Sequence, residues 1–112
     1  MTSPTQRSLK ALRADNWTCQ ITERWNPFAK VRQDLFGFCD ILCISPARGI
    51  LAVQTTSGNN VSARMEKIRQ EPKAALWLAC GGRIQVHGWR KIGDRGKRKL
   101  WDCRVIELTK QD

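Results

Sequence analysis

The chain has 112 residues with a mass of 12.8 kDa, and 41% of its residues are hydrophobic. This length suits one compact domain and is too short for two, and the hydrophobic fraction excludes a wholly disordered chain, so we expect a single domain over residues 1–112. Twenty Lys and Arg against ten Asp and Glu give a net charge of +10, which favours a polyanionic partner such as nucleic acid. A soluble basic protein without such a partner is the alternative.

The first third of the chain predicts a helix and then a strand. Apolar residues recur at helical spacing over residues 3–16, with Ser3 as the amino-terminal cap and Pro4 in the first turn. Alternating side chains over residues 17–25 predict a strand, which the Asn-Pro pair at 26–27 ends.

The middle of the chain predicts two paired, buried strands and a broken helix. The strands are the nearly continuous apolar runs 38–44 and 50–56, joined by a turn at 45–49. Helical spacing over 61–79 is interrupted by Pro72, which predicts two helical pieces.

Two alternating segments, 83–92 and 99–108, predict a closing β-hairpin. Together these elements predict an α/β domain with an amino-terminal helix, a central mixed β-sheet flanked by helices, and a carboxyl-terminal hairpin.

The cysteines and the amino-terminal segment predict a reducing compartment. Five cysteines without a CxxC spacing indicate reduced packing residues rather than a disulfide framework or a zinc ribbon. Cys39 and Cys43 are expected on one face of a strand beside Ile41. No apolar run approaches the ~20 residues of a membrane span, and the first residues lack the apolar core of a signal peptide, so we expect a cytoplasmic protein.

Asp40 is the most informative residue, because it interrupts an otherwise apolar strand and a buried carboxylate is costly unless it is paired or binds a cation. Gln54 lies on the neighbouring strand, where a hairpin can bring it beside Asp40. Glu23 and Asp34 can add carboxylates, which gives the all-oxygen environment that suits Mg²⁺ or Mn²⁺. The structural alternatives are ion pairs: Asp40 with Arg64 or Lys67, and Glu23 with Arg24 or Lys30.

The order of these features resembles the PD-(D/E)XK nuclease superfamily, in particular its small Holliday junction resolvase-like members, over residues 8–79. In that family a central Asp lies at or within one strand and a Glu-x-Lys motif lies on the next, and together they hold a divalent metal beside the scissile phosphate. Asp40 stands at the Asp position, and Gln54-Thr55-Thr56 stands at the Glu-x-Lys position with Gln for Glu and Thr for Lys.

The resemblance implies a restriction-endonuclease-like domain and a metal-dependent DNA endonuclease that hydrolyses phosphodiester bonds, with branched, Holliday junction-like DNA as a candidate substrate. It implies Asp40 and Gln54 as metal ligands, joined by the backbone carbonyl of Thr55, with Glu23 or Asp34 completing the set around Mg²⁺ or Mn²⁺. Such members commonly act as homodimers and are common in phages and prophages.

The replacement of the family's Lys by Thr56 leaves the attacking water and the phosphate without their usual cation, because a threonine carries no charge. We expect Lys67 or Arg64 on the following helix, or Lys30 from the preceding loop, to supply that charge. If none does, the alternative is a catalytically impaired nuclease-fold protein that binds DNA as an accessory factor or inhibits another enzyme. An RNA-binding module is a third interpretation, without a recognised aromatic RNA motif.

The cations expected to contact nucleic acid are spread over three segments, with Trp89 and Trp101 interleaved among them as stacking or core residues. They are Lys30, Arg32, Arg64, Arg90, Lys91, Arg95, Lys97, Arg98 and Lys99. The single histidine, His87, is expected to be structural. Ser57 has no His and Asp partner pattern, which disfavours a nucleophilic hydrolase.

Overall fold

The chain forms a mixed α/β structure, in which a computed structural model describes residues 2–93, 96 and 98–110. Its elements are α1 (Pro4–Ala14), β1 (Thr18–Ile21), β2 (Arg24–Asn26), β3 (Val31–Gln33), β4 (Ile41–Ser45), β5 (Gly49–Ser57), a 3₁₀ turn (Gly58–Asn60), α2 (Val61–Arg69), α3 (Pro72–Ala79), β6 (Arg83–Ile92) and β7 (Leu100–Leu108). Five strands form one sheet in the order β1-β4-β5-β6-β7, and β2 and β3 form a separate hairpin. The β5–β6 pair is parallel and its neighbours are antiparallel.

Helix α1 covers one face of the sheet. Its amino terminus forms as expected, because Ser3 Oγ accepts a hydrogen bond from Gln6 N at 3.1 Å and Pro4 occupies the first turn. Leu9 and Leu12 pack in a cluster with inward-facing residues of β4 and β5. This helix therefore lies directly over the strand pair that carries the candidate site.

Helices α2 and α3 cover the other face and connect the parallel strands β5 and β6. Ile68 of α2 and Ala74 of α3 pack against Ala52 and Val86 of the sheet. The break expected at Pro72 is confirmed, and the Glu71 side chain caps α3 by accepting from Lys73 N at 3.1 Å. Helices on both faces of a mixed sheet confirm the α/β class, and the carboxyl-terminal hairpin β6–β7 is confirmed as well.

The single strand expected over residues 17–25 is wrong, because the chain bends between Ile21 and Arg24. Thr22 produces the bend: its N–H donates to Asp40 O at 2.8 Å and its hydroxyl donates to Cys39 O at 2.8 Å. Strand β1 therefore stays in the main sheet, while β2 leaves it to pair with β3. The alternation of side chains in the sequence continues through residues 22–23, so the sequence pattern gives no sign of the bend.

The strand expected over residues 38–44 begins later, at Ile41. Gly37 precedes it with φ +83, which ends a turn rather than extending a strand. Cys39 consequently packs with the α2–α3 core, whereas Cys43 packs with the α1 core. The expectation that both cysteines share one face is therefore wrong, although all five cysteines are free thiols as expected.

Among the described residues, no helix is long and apolar enough to cross a membrane.

Candidate metal centre

Asp40 lies at the start of the β4–β5 hairpin, where the backbone fixes it firmly. Its N–H donates to Val53 O at 2.9 Å, and its side chain is only 2% exposed. The Oδ2 atom accepts from Gln54 Nε2 at 2.7 Å, from Thr55 N at 2.8 Å and from Thr55 Oγ1 at 3.2 Å. The other oxygen, Oδ1, is buried without a hydrogen-bond partner.

Three carboxylates converge at this point. Glu23 lies in the link between β1 and β2, Asp34 follows β3, and each offers an oxygen within 4.8 Å of the others and of Asp40. Gln54 joins them, since its Nε2 lies 3.3 Å from Asp34 Oδ2 and its Oε1 is buried without a partner. The acidic triad of Glu23, Asp34 and Asp40 could hold a metal ion.

Two unpartnered oxygens in one buried cluster need an explanation, because a buried acceptor without a donor costs free energy. Both orphans, Asp40 Oδ1 and Gln54 Oε1, are hard oxygen ligands. A cation held by the triad could satisfy a buried acceptor of this kind and would also compensate the negative charge of Asp34 and Glu23. The donor set of the residues present therefore fits a metal ion.

The electrostatics of the cluster favour a cation. Burial raises the pKa of Asp40 to about 8, and the neighbouring carboxyl of Asp34 and the charge of Glu23 act in the same direction, against the hydrogen bond from Thr55 N, which lowers it. Asp40 thus resists carrying a negative charge. A bound cation would reverse this preference.

A cavity of about 320 Å³ is lined by the three acids together with Arg32, Arg64 and Lys67. We refer to these three cations as the cationic rim. Arg32 pairs with Glu23 at 3.1 Å, so the partners expected for Glu23, Arg24 and Lys30, are wrong. Among the residues that the structure describes, no cation lies within 4.0 Å of the Asp40 carboxylate, which excludes its ion pair with Arg64 or Lys67.

The expected site residues are thus largely brought together, with two exceptions. Thr56 is buried but does not line this cavity, and Lys30 lies exposed in the β2–β3 turn and does not line it either. Thr55 contributes its N–H and hydroxyl to Asp40. Sequence reasoning missed Thr5, whose hydroxyl lies 2.8 Å from Thr55 Oγ1; a threonine on the inner face of α1 was its only signal.

The basic residues of the closing hairpin lie far along the chain from this site and are solvent-exposed: Arg90, Lys91, Arg98 and Lys99. Arg95 and Lys97 lie outside the described residues. Trp101 is exposed, with the Arg7 guanidinium 3.8 Å from its ring centroid and the Lys91 ammonium 5.4 Å away. An exposed aromatic among cations is compatible with contact to a nucleic acid.

His87 has a structural environment, as expected. Its Nδ1 lies 2.9 Å from Ser8 Oγ and its Nε2 lies 2.9 Å from Gln85 Oε1. Trp89 Nε1 donates to the same Ser8 Oγ at 2.8 Å, which makes Trp89 a structural residue rather than a stacking surface. Burial lowers the pKa of His87 to about 4, so the ring is neutral at pH 7.

Comparisons with known proteins found no matching family model, no matching curated protein and no matching solved structure. We therefore infer function from the geometry and charges of the acidic triad, Gln54 and the cationic rim.

Proposed function

We propose that the chain is a divalent-metal-dependent DNA endonuclease with a restriction-endonuclease-like, PD-(D/E)XK fold. The observation that carries the proposal is the pair of orphaned buried oxygens on Asp40 and Gln54, inside a triad of carboxylates and beneath a rim of cations. Nucleases that hydrolyse phosphodiesters with metal ions combine these same elements, namely hard oxygen ligands and positive charge for the phosphate.

The placement of the motif residues supports this fold assignment. Asp40 immediately precedes β4, and Gln54-Thr55-Thr56 lies on β5, the adjacent antiparallel strand. Hydrogen bonds from Gln54 and Thr55 to Asp40 join the two motif segments directly. The helix α1 on one face and α2 on the other complete the arrangement that the resemblance implies.

Mg²⁺ or Mn²⁺ is the proposed metal, because every side chain in the cluster offers oxygen and none offers sulfur or imidazole. Asp40, Asp34 and Glu23 would hold it, with Gln54 Oε1 as a neutral ligand. When bound, the cation would supply Lewis-acid polarisation of the phosphate and a more acidic water.

The cationic rim binds and orients the phosphate. Arg64 and Lys67 are three residues apart on α2, so they project from the same side of the helix, and both line the cavity with the carboxylates. Lys67 supplies the positive charge that Thr56 lacks, and it stabilises the negative charge that develops on the phosphate oxygens. Arg32 holds Glu23 in place through its ion pair.

Cleavage of labelled DNA tests the proposal. Duplex, single-stranded and four-way-junction DNA are incubated with EDTA, Mg²⁺ or Mn²⁺, and the wild type is compared with Asp40→Asn and with Glu66→Gln, an exposed acid on α2. We expect metal-dependent cleavage that Asp40→Asn abolishes and Glu66→Gln retains. Cleavage that persists in Asp40→Asn, or that proceeds in EDTA, would refute the assignment of this site.

Tight DNA binding without cleavage would instead support a fold retained for binding, as an accessory protein or an inhibitor. The observation that favours this second function is the pair of motif changes, Gln54 and Thr56, at positions where the family carries Glu and Lys. Branched DNA as substrate and a homodimer as the active unit also belong to the proposal. Faster cleavage of the four-way junction than of the duplex would support branched DNA as the substrate. The mass of the protein in solution distinguishes a homodimer from a monomer.

A further inference from the structure

The β2–β3 hairpin, residues 24–33, projects from the candidate metal centre and carries the most exposed aromatic side chain of the described residues. Phe28 in its turn is 97% exposed, and Trp25 on β2 is 58% exposed. Large aromatic side chains with this exposure indicate a contact surface when they cluster beside a functional site. The two ends of the hairpin are flanked by Glu23 and Asp34, so two of the three carboxylates are fixed by it.

Three hydrogen bonds order the turn of the hairpin. Asn26 Oδ1 accepts from Phe28 N at 2.9 Å and from Ala29 N at 3.1 Å, and Lys30 N donates to Asn26 O at 2.8 Å. Pro27 restricts the backbone further. Phe28 is therefore presented to solvent by an ordered turn, which lowers the entropic cost of stacking it against a ligand.

The charge of the hairpin identifies the chemistry of the ligand. Its cations are Arg24, Lys30 and Arg32, and it contains no Asp or Glu. Trp25 lies directly opposite Arg32 in the hairpin register, so these two side chains share a face, and Arg32 lines the cavity of the metal centre. Aromatic surface next to cations suits an unpaired nucleic-acid strand, in which bases are free to stack and phosphates lie beside them.

We propose that the β2–β3 hairpin is a specificity element that binds DNA where its bases are unpaired, with Phe28 stacking on an exposed base at a fork or branch point. This inference depends on the proposed function for DNA as the ligand, and it adds the element and the side chain that recognise unpaired bases. Phe28 lies in the turn, whereas Glu23 and Asp34 lie at the opposite end of the hairpin. A strand that stacks on Phe28 and continues along the hairpin therefore brings a phosphate further along that strand to the metal centre. Intact duplex keeps its bases stacked inside and offers Phe28 no partner.

Binding in EDTA tests the hairpin separately from cleavage. Fluorescence anisotropy compares a forked DNA having single-stranded arms with a fully paired duplex of the same length, for the wild type, Phe28→Ala, Phe28→Trp and Leu76→Ala. Leu76 is a matched control, because it is an apolar side chain on α3 that is 63% exposed. Because Phe28 is almost fully exposed, its replacement leaves the fold intact.

We expect Phe28→Ala to weaken binding of the fork by about 5- to 100-fold, the usual range for loss of one base–aromatic stacking contact, and to leave binding of the duplex unchanged. Phe28→Trp should retain fork binding, and Leu76→Ala should match the wild type on both DNAs. Equal weakening on both DNAs, or no effect on the fork, would overturn the inference.

Two further outcomes separate the hairpin from the nuclease proposal. Selective loss of fork binding in Phe28→Ala, combined with no cleavage by the wild type in Mg²⁺ or Mn²⁺, supports the hairpin and removes the nuclease activity. Phe28-dependent binding to anionic phospholipid vesicles, with DNA binding unaffected by Phe28→Ala, would overturn the hairpin inference in favour of a membrane contact.

Discussion

Replacing Asp40 with Asn is expected to stabilise the metal-free chain at neutral pH. Burial, Asp34 and Glu23 raise the pKa of Asp40 from its usual value of 3.8 to about 8. The folded chain therefore holds this proton more tightly than the unfolded chain. The contribution of Asp40 to the free energy of unfolding is full below pH 3.8 and falls as the pH rises towards 8. At ~1.4 kcal/mol for each pH unit, ionisation of Asp40 in the unfolded chain lowers the free energy of unfolding at pH 7 by on the order of 4 kcal/mol.

The Asp40→Asn variant carries a neutral amide, so it avoids this loss while retaining an acceptor for Thr55 N. Part of the gain is offset by the imperfect fit of an NH₂ group at the position of Oδ1. A net gain of about 1–2 kcal/mol would raise Tm by roughly 4–10 °C in a domain of this size. The gain should shrink towards zero by pH 4, where the wild-type carboxyl becomes protonated in the unfolded chain as well as in the folded chain.

Thermal unfolding followed by circular dichroism in EDTA at pH 4, 5.5, 7 and 8 measures this difference, with Asp15→Asn as the control because Asp15 is exposed. Titrations common to both proteins cancel in the comparison. A Tm of Asp40→Asn below that of the wild type at pH 8, or a difference that does not change with pH, would refute the reasoning. Added Mn²⁺ should raise the Tm of the wild type and leave that of Asp40→Asn unchanged, because a ligand stabilises only the fold that binds it.

Lys67→Ala is expected to lower kcat for DNA cleavage by about 100-fold, because a preorganised charge beside the phosphate is lost; Lys10→Ala on α1 is the control, and an unchanged kcat would remove Lys67 from the site. Gly88→Ala is expected to lower the free energy of unfolding in urea by about 1–3 kcal/mol, because a Cβ there would overlap Val61 Cγ2; equal stability would contradict that packing. His87→Gln is expected to gain stability relative to the wild type as the pH falls. Burial lowers the pKa of His87 to about 4, so its contribution to the free energy of unfolding falls by about 3 kcal/mol from pH 6.5 to 4, opposite in sign to the contribution of Asp40 that both proteins share. Urea unfolding of both proteins at pH 4.5 and 7 measures this, and a difference between them that does not change with pH would contradict it.

Most of the sheet could be predicted from sequence because its strands are apolar and regular. The pairing of β4 with β5 followed from two apolar runs and a short turn, and β6 with β7 followed from alternation on both sides of a glycine-rich connection. The break between α2 and α3 followed from Pro72, which cannot donate a backbone hydrogen bond. These features are local, so that sequence alone determines them.

The separate β2–β3 hairpin could not be predicted, because its cause is a contact between distant residues. Thr22 bonds to Cys39 and Asp40 across the sheet, and these bonds turn the chain out of β1. Alternation of side chains is the same on both sides of the bend. Asp34 could be predicted as a candidate ligand because it is a carboxylate close to Asp40 in the sequence. The hairpin that fixes its position could not be predicted.

Gln54 stabilises the acidic cluster in the absence of a cation. Its Nε2 donates to Asp40 at 2.7 Å and lies 3.3 Å from Asp34, so one amide group bridges the carboxyl groups of Asp40 and Asp34. A Glu at this position would place a fourth carboxylate in the cluster and would bind a divalent metal more strongly, but it would destabilise the empty site. Relative to a Glu, the Gln54 amide therefore lowers the affinity for a metal and raises the stability of the empty site. Its unpartnered Oε1 remains as the ligand that a cation would use.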